Sequence, residues 1–401
     1  MRALKSLRGT KDVELIKLLL RVDFLALLAC IALLAYLGLS FGKDMVLSVL
    51  LEFSIFLIVT LSLNIETGLT GVPQFGRVLC VTAGAFIVGG LCGRIVAWML
   101  GRECGWAYAH HTVNYPLITE INSILMTNMG LSVLVFIMYL IFAAIAGGFF
   151  GWLISRPAIR LKEAYLGISL LAFGDLLYWI GYNWEPLVGA TNAVHVPDPF
   201  RSIWAYRYEA VTIVYFFIAL FMLFIAEKFV RSPFGRVLKM LRDCELAAQV
   251  YGRDIVKVRT FSLVVGGAMA GVAGGLWVVY TGSCYAGTFT KLMWTFWPWA
   301  YMMLGGIGSN LGVALGVLIF VILRTMIMIY RMSLKPYLPF DPVWLEYTLC
   351  GLALVIIVLF RPYGLVPEKP VTTLPREKIE EMLARAREKV KSEGAGGTAG
   401  P

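Results

Sequence analysis

Apolar runs of about 20 residues recur along the chain and are separated by short polar stretches. A helix of about 20 residues rises 1.5 Å per residue and crosses a hydrocarbon core of about 30 Å. The pattern therefore predicts an all-α polytopic membrane protein with about 8–10 transmembrane helices. The predicted spans are residues 22–41, 45–63, 78–100, 123–152, 165–183, 208–227, 260–280, 289–306, 311–330 and 342–360.

Two of these runs contain residues that interrupt a regular membrane helix. The run 78–100 is rich in glycine and carries Arg94, and the run 289–306 contains Pro298. Irregular backbone at membrane depth is tolerated only where protein or a water-filled cavity covers it. We therefore expect broken or re-entrant segments at these two places.

The positions of Lys and Arg predict the orientation of the chain. With the N-terminus in the cytoplasm, 26 of the 35 Lys and Arg residues fall on the inner side and 7 on the outer side. Such a bias is typical of cytoplasmic loops, so both termini are predicted to be cytoplasmic. The predicted parts are a basic N-terminus (1–21), a transmembrane domain (22–360) with an inner loop (228–259) and two outer loops (101–122 and 181–207), and a cytoplasmic tail (361–401) with a short charged helix and a disordered end.

Composition and charge exclude several classes of function. Hydrophobic residues make up 59% of the chain and charged residues 15%, whereas about 25% of a soluble protein is charged. The net charge of +10 comes from the inner loops, which face anionic lipid, so we expect a multi-pass protein of the plasma membrane and no nucleic-acid binding. The sequence has no phosphate-binding loop, no Cys/His pattern with metal spacing and no catalytic cluster, so we expect no cofactor, metal or catalytic residue in this chain.

Five ionisable residues are candidates for groups at membrane depth, where each is costly and persists for a reason. They are scattered along the sequence and are not visibly paired, unlike the sets that coupled carriers use. If the protein moves a solute actively, the energy is expected to come from another subunit. The five residues are Glu52, Glu66, Arg94, Asp175 and Arg324.

The inner loop carries an amphipathic stretch at residues 231–259. Apolar residues recur there at roughly helical spacing between basic ones, and Ala247, Ala248 and Gly252 would let another surface approach closely. One interpretation is a helix that sits in the groove of a partner protein. The other is a solvated loop on the lipid surface.

A glycine-interrupted stretch follows the second span. Glycines permit broken helices whose backbone contacts a solute, and they also permit close helix packing. Both interpretations remain open, and Asp175 could likewise face a solute path, pair with a basic side chain or be buried in the bundle. The candidate path residues are Asn64, Gly68, Thr70, Gly71, Gln74, Gly76 and Asp175.

The inner loop also carries a family resemblance. Glu245-x-Ala247-Ala248-x-x-x-Gly252 resembles the E-x-A-A-x-x-x-G motif of ATP-binding cassette (ABC) importer permeases. In that family this loop forms the coupling helix that docks on the cytoplasmic ATPase. The resemblance implies an ATPase-docking role for Glu245, Ala247, Ala248 and Gly252, together with the preceding Leu241 and Arg242.

Further stretches are similar to one subfamily, the LIV-type (branched-chain amino acid) permeases of the LivM-like kind. The stretch 64–76 resembles N-x-x-x-G-x-T-G-x-x-S-x-G, the stretch 156–161 resembles P-A-L-R-L and the stretch 171–175 resembles L-A-F-G-E. Residues 305–309 resemble G-G-x-G-[ST] and residues 360–365 resemble F-R-P-R-G-L. Gln74 and Arg77 stand where the family has Ser and His, and Glu66 replaces an apolar residue, which puts the solute in doubt more than the fold.

The resemblance implies a full set of partners. These are a second permease subunit, two ATPase subunits that bind ATP and Mg, an extracytoplasmic solute-binding protein, and the lipid bilayer. The implied solute is a branched-chain or related amino acid. The binding protein is expected to contact Asn183, Trp184, Thr191 and Asn192.

Two functions from other classes remain as alternatives. A self-sufficient secondary transporter or channel would move its solute under an ion gradient without ATP. A membrane-bound enzyme would need a catalytic cluster, and the sequence contains none.

Overall fold

The computed structural model of the chain describes residues 42–102, 105–161, 163–335, 343–360 and 363–368, with residues 36, 38, 341 and 380–382. Met1–Pro367 form one compact unit and Glu368–Pro401 a second one. Residues 380–382 of the second unit are helical. The predicted span 22–41, apart from residues 36 and 38, and the rest of the predicted tail helix lie outside the described residues.

The described chain is almost entirely helical. Three π turns (Asn64–Leu69, Ile87–Cys92 and Leu292–Phe296) and three 3-10 turns (Gly105–Ala109, Arg201–Tyr206 and Ala286–Thr288) join the helices, and β1 (Val194–His195) pairs antiparallel with β2 (Ser283–Cys284). The α-helices are α1 (Lys43–Leu63), α2 (Arg77–Phe86), α3 (Gly93–Met99), α4 (His111–Thr127), α5 (Met129–Arg160), α6 (Glu163–Asn183), α7 (Glu185–Val188), α8 (Arg207–Arg231), α9 (Pro233–Asp243), α10 (Glu245–Val250), α11 (Ile255–Thr281), α12 (Trp297–Gly305), α13 (Asn310–Leu334) and α14 (Val343–Phe360).

Seven helices of the described part are long and apolar enough to cross a membrane, which confirms the predicted all-α polytopic fold class. Their length of about 20 residues or more matches the hydrocarbon thickness. The orientation of the termini stays a prediction. The candidate spans are Lys43–Leu69, Arg77–Met99, Met129–Pro157, Tyr165–Asn183, Arg201–Arg231, Ile255–Thr281 and Asn310–Arg331.

The two segments predicted to be irregular differ from each other. Arg77–Met99 continues across the bundle, because the π turn at Ile87–Cys92 accommodates its glycines without ending the helix. The run 289–306 instead consists of a π turn followed by the short helix α12. Pro298 lies in the first turn of α12, where its missing N–H costs no hydrogen bond.

The predicted outer loop 101–122 is largely helical. It contains most of α4, and the chain leaves helical geometry at Asn128 (φ −120°, ψ 87°) before α5 begins. The predicted span 123–152 therefore begins later, at Met129. Local sequence did not show this division, because apolar residues continue across it.

Helix α11 lies at the centre of the bundle and packs on α5 through glycine. A Cβ built on Gly147 of α5 would lie 2.2 Å from the carbonyl oxygen of Gly267 in α11. A Cβ on Gly84 of α2 would lie 2.1 Å from the carbonyl oxygen of Gly271. Backbones in such contact gain dispersion energy that a side chain would prevent, which is how helices associate where lipid removes the hydrophobic driving force.

Candidate functional site

The π turn at the end of α1 opens into irregular backbone, and residues 64–76 together form what we call the corner segment. Asn64 is fully buried there. Its Nδ2 donates to Oδ1 of Asn310 at 2.9 Å, and its Oδ1 accepts the N–H of Gly308 at 2.8 Å. A Cβ on Gly68 would lie 2.9 Å from that same Gly308 nitrogen. The asparagine and the glycine together hold the end of α1 against the start of α13.

The polar groups in the remainder of the corner segment also form hydrogen bonds within the protein. The hydroxyls of Thr70 and Ser262 lie 2.8 Å apart, and Oε1 of Gln74 accepts the N–H of Gly76 at 3.1 Å. The indole N–H of Trp299 donates to the Gln74 carbonyl at 3.0 Å. The predicted path residues of this stretch are thus gathered in one place, and in this conformation all of them except the exposed Gly71 are buried.

A buried ion pair links the corner segment to α2. Glu66 and Arg77 form a salt bridge, and both side chains are fully buried. The Nη1 of Arg77 also donates to the Gly266 carbonyl at 3.1 Å, while the absence of a side chain at Gly266 leaves room for the Glu66 carboxylate. Glu66 and Arg77 both depart from the family pattern, and here they form one ion pair.

The expectation that the membrane charges are unpaired is wrong for four of the five residues, whereas the fifth, Arg94, donates to the Gly105 carbonyl at 3.0 Å. Besides the pair above, Arg324 Nη1 lies 3.6 Å from Glu52 Oε2, and Lys291 Nζ lies 2.5 Å from Asp175 Oδ2. A charge in an apolar surrounding is tolerated when an opposite charge is in contact with it. The partners are far apart in sequence and meet only after folding.

The inner loop folds into α9 and α10. Ser232 begins α9, and its hydroxyl accepts the N–H of Gly235 at 3.1 Å, an arrangement that satisfies a free donor of the first turn. Of the predicted docking residues, Leu241 and Ala248 are buried within the chain. Glu245 Oε2 pairs with Nη2 of Arg259 at 3.1 Å.

Arg242 points into the bundle rather than into solvent. Its Nη1 donates to the carbonyl of Gly68 at 2.6 Å, and its Nε donates to Asp243 at 3.0 Å. The side chain is 25% exposed. Arg242 therefore contacts the corner segment directly.

Three large apolar side chains of the inner loop face outward, and sequence reasoning did not single them out as a group. Leu246 is 72% exposed, Val250 85% and Tyr251 76%. Gly252 follows them with a positive φ of 70°, and nothing lies within 4 Å of a Cβ built on it. We call these four residues the α10 tip. Val250 and Tyr251 occupy variable positions of the motif, so the motif itself gave no signal for them.

Asp175 lies apart from the corner segment, on the exposed face of α6. The structure places it half-exposed and paired with Lys291, so the interpretation of simple burial is wrong. It opens onto a groove of about 610 Å³. The groove is lined by Ala172, Asp175, Leu176, Trp179, Ile180, Asn183 and Trp184.

Of the residues expected to contact a binding protein, Asn183 and Trp184 lie at the end of α6, and Thr191 and Asn192 follow α7. Asn183, Trp184, Thr191 and Asn192 are all exposed. The Nδ2 of Asn183 donates to the Trp179 carbonyl at 2.8 Å, and the Trp184 ring lies 6.3 Å from that of Trp106. These side chains are accessible to a partner protein, and their role in binding one stays a prediction.

Among the ionisable groups outside the spans, Asp254 and Tyr108 have shifted pKa values. Asp254 begins α11 and accepts the Lys257 N–H at 3.2 Å, a bond that lowers the pKa of its carboxyl. Burial raises the pKa of the Tyr108 hydroxyl, which donates to the His195 carbonyl at 3.2 Å. Neither shift places a group near neutral pH. Within the described ranges, no three His, Cys, Asp or Glu side chains are grouped as metal ligands would be.

Comparison with known proteins identifies the family. The model of the family described as branched-chain amino acid transport system, permease component, matches residues 45–358. A protein of Methanocaldococcus jannaschii named probable branched-chain amino acid transport permease protein LivM is 37% identical over 351 residues, which is 85% of this chain and 99% of that protein.

Two further relatives are more distant. The high-affinity branched-chain amino acid transport system permease proteins LivM of Salmonella typhimurium and Escherichia coli are each 25% identical over 265 residues, which is 59% of this chain and 58% of each relative. No solved structure matches the chain. With seven apolar spans in its described part, this chain is a multi-pass transport permease of the plasma membrane and belongs to the family of branched-chain amino acid transport permease components.

Proposed function

We propose that this chain is one of two membrane subunits of an ABC importer. A second permease completes the translocation path, two ATPases dock in the cytoplasm, and an extracytoplasmic binding protein delivers a branched-chain or related amino acid. Membership of the family and the names of the relatives support this assignment. ATP and Mg are bound by the ATPases, and this chain supplies the gate.

The observation that carries the proposal is the α10 tip. Three apolar side chains extend from a loop whose neighbours Arg253, Asp254 and Lys257 are exposed, so the tip faces water rather than lipid. Exposing apolar surface costs about 25 cal/mol per Å², and clustered exposure of this kind marks a protein interface. A short helix presenting such a cluster suits a groove on a partner protein.

The left-handed turn at Gly252 shapes this tip. A residue with φ of 70° turns the chain away immediately after Tyr251, and glycine adopts that φ without a steric penalty. Tyr251, which directly precedes this turn, is 76% exposed, so it is accessible to an ATPase surface.

The solute path is proposed to run along the exposed face of α6, between this chain and the second permease. The groove beside Asp175 is open there, and the polar ends of Asn183 and Asp175 could contact an amino acid. The corner segment lies directly behind α6, since a Cβ on Gly76 would lie 2.9 Å from the Leu170 carbonyl oxygen. Asn64, Thr70 and Gln74 would line the path only when α6 moves.

Retention of the ATPases by the purified complex tests the docking surface. Tyr251→Ala removes an exposed aromatic anchor, and we expect ATPase affinity to fall by roughly 30-fold, about 2 kcal/mol, as at other interface hot spots. Tyr363→Ala is the matched control, because Tyr363 is equally exposed at 79% but lies outside the loop. Equal retention by both variants would contradict the proposal.

Transport by the purified chain separates this function from the alternative. A self-sufficient transporter or channel would move an amino acid into proteoliposomes under an ion gradient, without any other subunit. We expect uptake only when the second permease, the ATPases, ATP and the loaded binding protein are all present. The ligand that co-purifies with the binding protein would identify the solute.

A further inference from the structure

The cytoplasmic part of the chain is attached to the corner segment at three separate points. The first precedes α9, the second lies within α9, and the third follows α10. The residues that make these contacts are Glu227 at the end of α8, Arg242 in α9 and Ser262 in α11.

The first attachment runs through Asn310. Its Nδ2 donates to Oε2 of Glu227 at 3.0 Å, and its Oδ1 accepts from Nδ2 of Asn64 at 2.9 Å. Glu227 lies one turn before the end of α8, where Arg231 Nε donates to its other oxygen at 2.8 Å. The last turn of α8 is thereby connected to the π turn by a continuous chain of hydrogen bonds.

The second attachment, through Arg242, is the most direct. Its guanidinium donates to the Gly68 carbonyl at 2.6 Å, within the π turn that ends the first described span. Carbonyls at a helix end lack intrahelical donors and carry partial negative charge, so a cation there forms a strong hydrogen bond. The contact joins the middle of the cytoplasmic loop to the most irregular point of the bundle.

The backbone of the corner segment is shaped to admit this arginine. Gly71 has a positive φ of 77°, and a Cβ built on it would lie 3.1 Å from Cγ of Arg242. Any larger residue at Gly71 would combine backbone strain with crowding of the arginine stem. The contact therefore depends on two residues, Arg242 in α9 and Gly71 in the corner segment.

The third attachment closes the set. The Ser262 hydroxyl lies 2.8 Å from that of Thr70 and 3.4 Å from the Ile65 carbonyl. Ser262 is fully buried in the first turns of α11. The loop that carries the α10 tip is therefore linked to the same short stretch indirectly at its beginning, through Asn310, and directly in its middle and at its end.

We propose that the corner segment is the point where movement of α9 and α10 enters the membrane bundle, and that Arg242 is the positioning residue that transmits it. This inference rests on the proposed ATPase docking, and it separates Arg242 from the docking surface to which the motif would assign it. A π turn can change its hydrogen-bond pattern at small cost, which makes it a suitable element to move.

The corner segment passes the movement on to the solute groove. Glu66 in the π turn pairs with Arg77 at the start of α2, and Gly76 abuts the Leu170 carbonyl of α6. A Cβ on Gly167 of α6 would also lie 3.3 Å from the Phe75 ring. A shift of the corner therefore changes the position of α6, on which the groove lies.

The complete complex in proteoliposomes tests the role of Arg242. Arg242→Met keeps the length and packing of the stem but removes every donor, whereas Arg242→Lys keeps the charge without the planar fork. For Arg242→Met we expect ATPase retention within about twofold of the unmodified complex and continued ATP hydrolysis. Solute uptake per ATP should fall roughly tenfold, within the range of about 5- to 150-fold typical of coupling between sites.

Two further variants serve as controls. Arg236→Met removes an exposed arginine from the same helix, and uptake per ATP should stay within about twofold of the unmodified complex. Ser262→Ala removes a second attachment, and it should lower uptake per ATP in the same direction but by less, because Thr70 keeps its bond to the Ile65 carbonyl at 3.1 Å. Arg242→Lys should fall between Arg242→Met and the unmodified protein.

Two results would overturn the inference. Unchanged uptake per ATP in Arg242→Met would show that the contact transmits nothing. Loss of ATPase retention by Arg242→Met, with retention intact in Ser262→Ala, would place Arg242 on the docking surface instead. Failure of the proposed function is distinct, since it would show in the unmodified complex as uptake without ATP or as no retained ATPase.

Discussion

The central and the outer helices of this permease are all long and apolar enough to cross a membrane, yet they differ in what they bury. Within the most apolar window of Ile255–Thr281, 78% of residues are buried, against 28% in Arg201–Arg231. The central helices carry buried polar side chains that bond to one another across the bundle, such as Asn64 with Asn310 and Ser262 with Thr70. The outer helices expose large apolar side chains such as Phe217. Because lipid is as apolar as a protein core, polarity rather than apolarity marks the interior here.

Helix α6 belongs to neither group. It is exposed like α8, but its exposed side carries Asp175 beside an open groove. A charged side chain on a lipid-facing surface would be expensive. This combination is what the proposed contact with a second permease and a solute path would require.

Breaking the buried ion pair should give the largest effect on stability. Glu66→Leu leaves Arg77 charged in a closed apolar site, and we expect a loss of about 3–5 kcal/mol in the free energy of unfolding. The double change Glu66→Leu with Arg77→Met removes both charges and should recover most of that loss. Thermal unfolding in detergent measures both.

The exposed pair of Lys43 and Glu209, 3.2 Å apart, provides the control for that experiment. Lys43→Met should leave the unfolding temperature unchanged within error, because solvent screens an exposed pair. If Glu66→Leu is equally harmless, the buried charges do not define the interior as argued above.

The glycine contacts between central helices should rank second. Gly147→Ala places a methyl group 2.2 Å from the Gly267 carbonyl oxygen, so α5 and α11 must separate. We expect a loss of about 1–3 kcal/mol. Gly130→Ala in the same helix meets nothing within 4 Å and should be neutral or stabilising by up to about 1 kcal/mol. Similar unfolding temperatures for the two variants would contradict the packing argument.

The hydroxyl pair in the corner segment should contribute less. Ser262→Ala removes one partner of Thr70, and about 1 kcal/mol is expected, as for a single neutral hydrogen bond. A double-mutant cycle with Thr70→Val isolates the pair. A coupling energy of zero would mean that the two hydroxyls act independently.

The smallest effect on stability is expected for side chains exposed on the outer helices. Two such side chains test whether α8 contacts lipid and α6 contacts a second permease. Phe217→Ala on α8 and Trp179→Ala on α6 should each change the free energy of unfolding by about 0.5 kcal/mol or less. Only Trp179→Ala should weaken retention of the second permease during purification, since it lines the groove. Equal retention by both variants would place lipid on α6 as well.

The sequence predicted the all-α class and most of the spans, since a run of about 20 apolar residues matches the thickness of the hydrocarbon core. It also located the inner loop that carries the α10 tip. It could not predict the pairing of Glu52 with Arg324 or of Asp175 with Lys291, because no local rule relates residues so distant in the chain. Such pairs depend on how the helices pack.

The sequence also could not fully predict which side chains of the inner loop are buried and which are exposed. In α9 the helical period places Leu238 and Leu241 on one side, and both are buried. Helix α10 has six residues, fewer than two turns, so its period does not reveal which side is covered. The inward position of Ala248 and the outward position of Val250 became visible only in three dimensions.

The π turn at Ile87–Cys92 has a consequence for comparing this chain with its relatives, because helix continues on both sides of it. A π turn holds one residue more than the α-helical turn it replaces, and each added residue rotates the following side chains by about 100°. A homologue shorter by a single position in this turn can keep the flanking helices in phase by closing the turn to an α-helix. A one-residue gap in this span therefore belongs within the turn, and a helical wheel drawn straight through it assigns the wrong faces beyond Cys92.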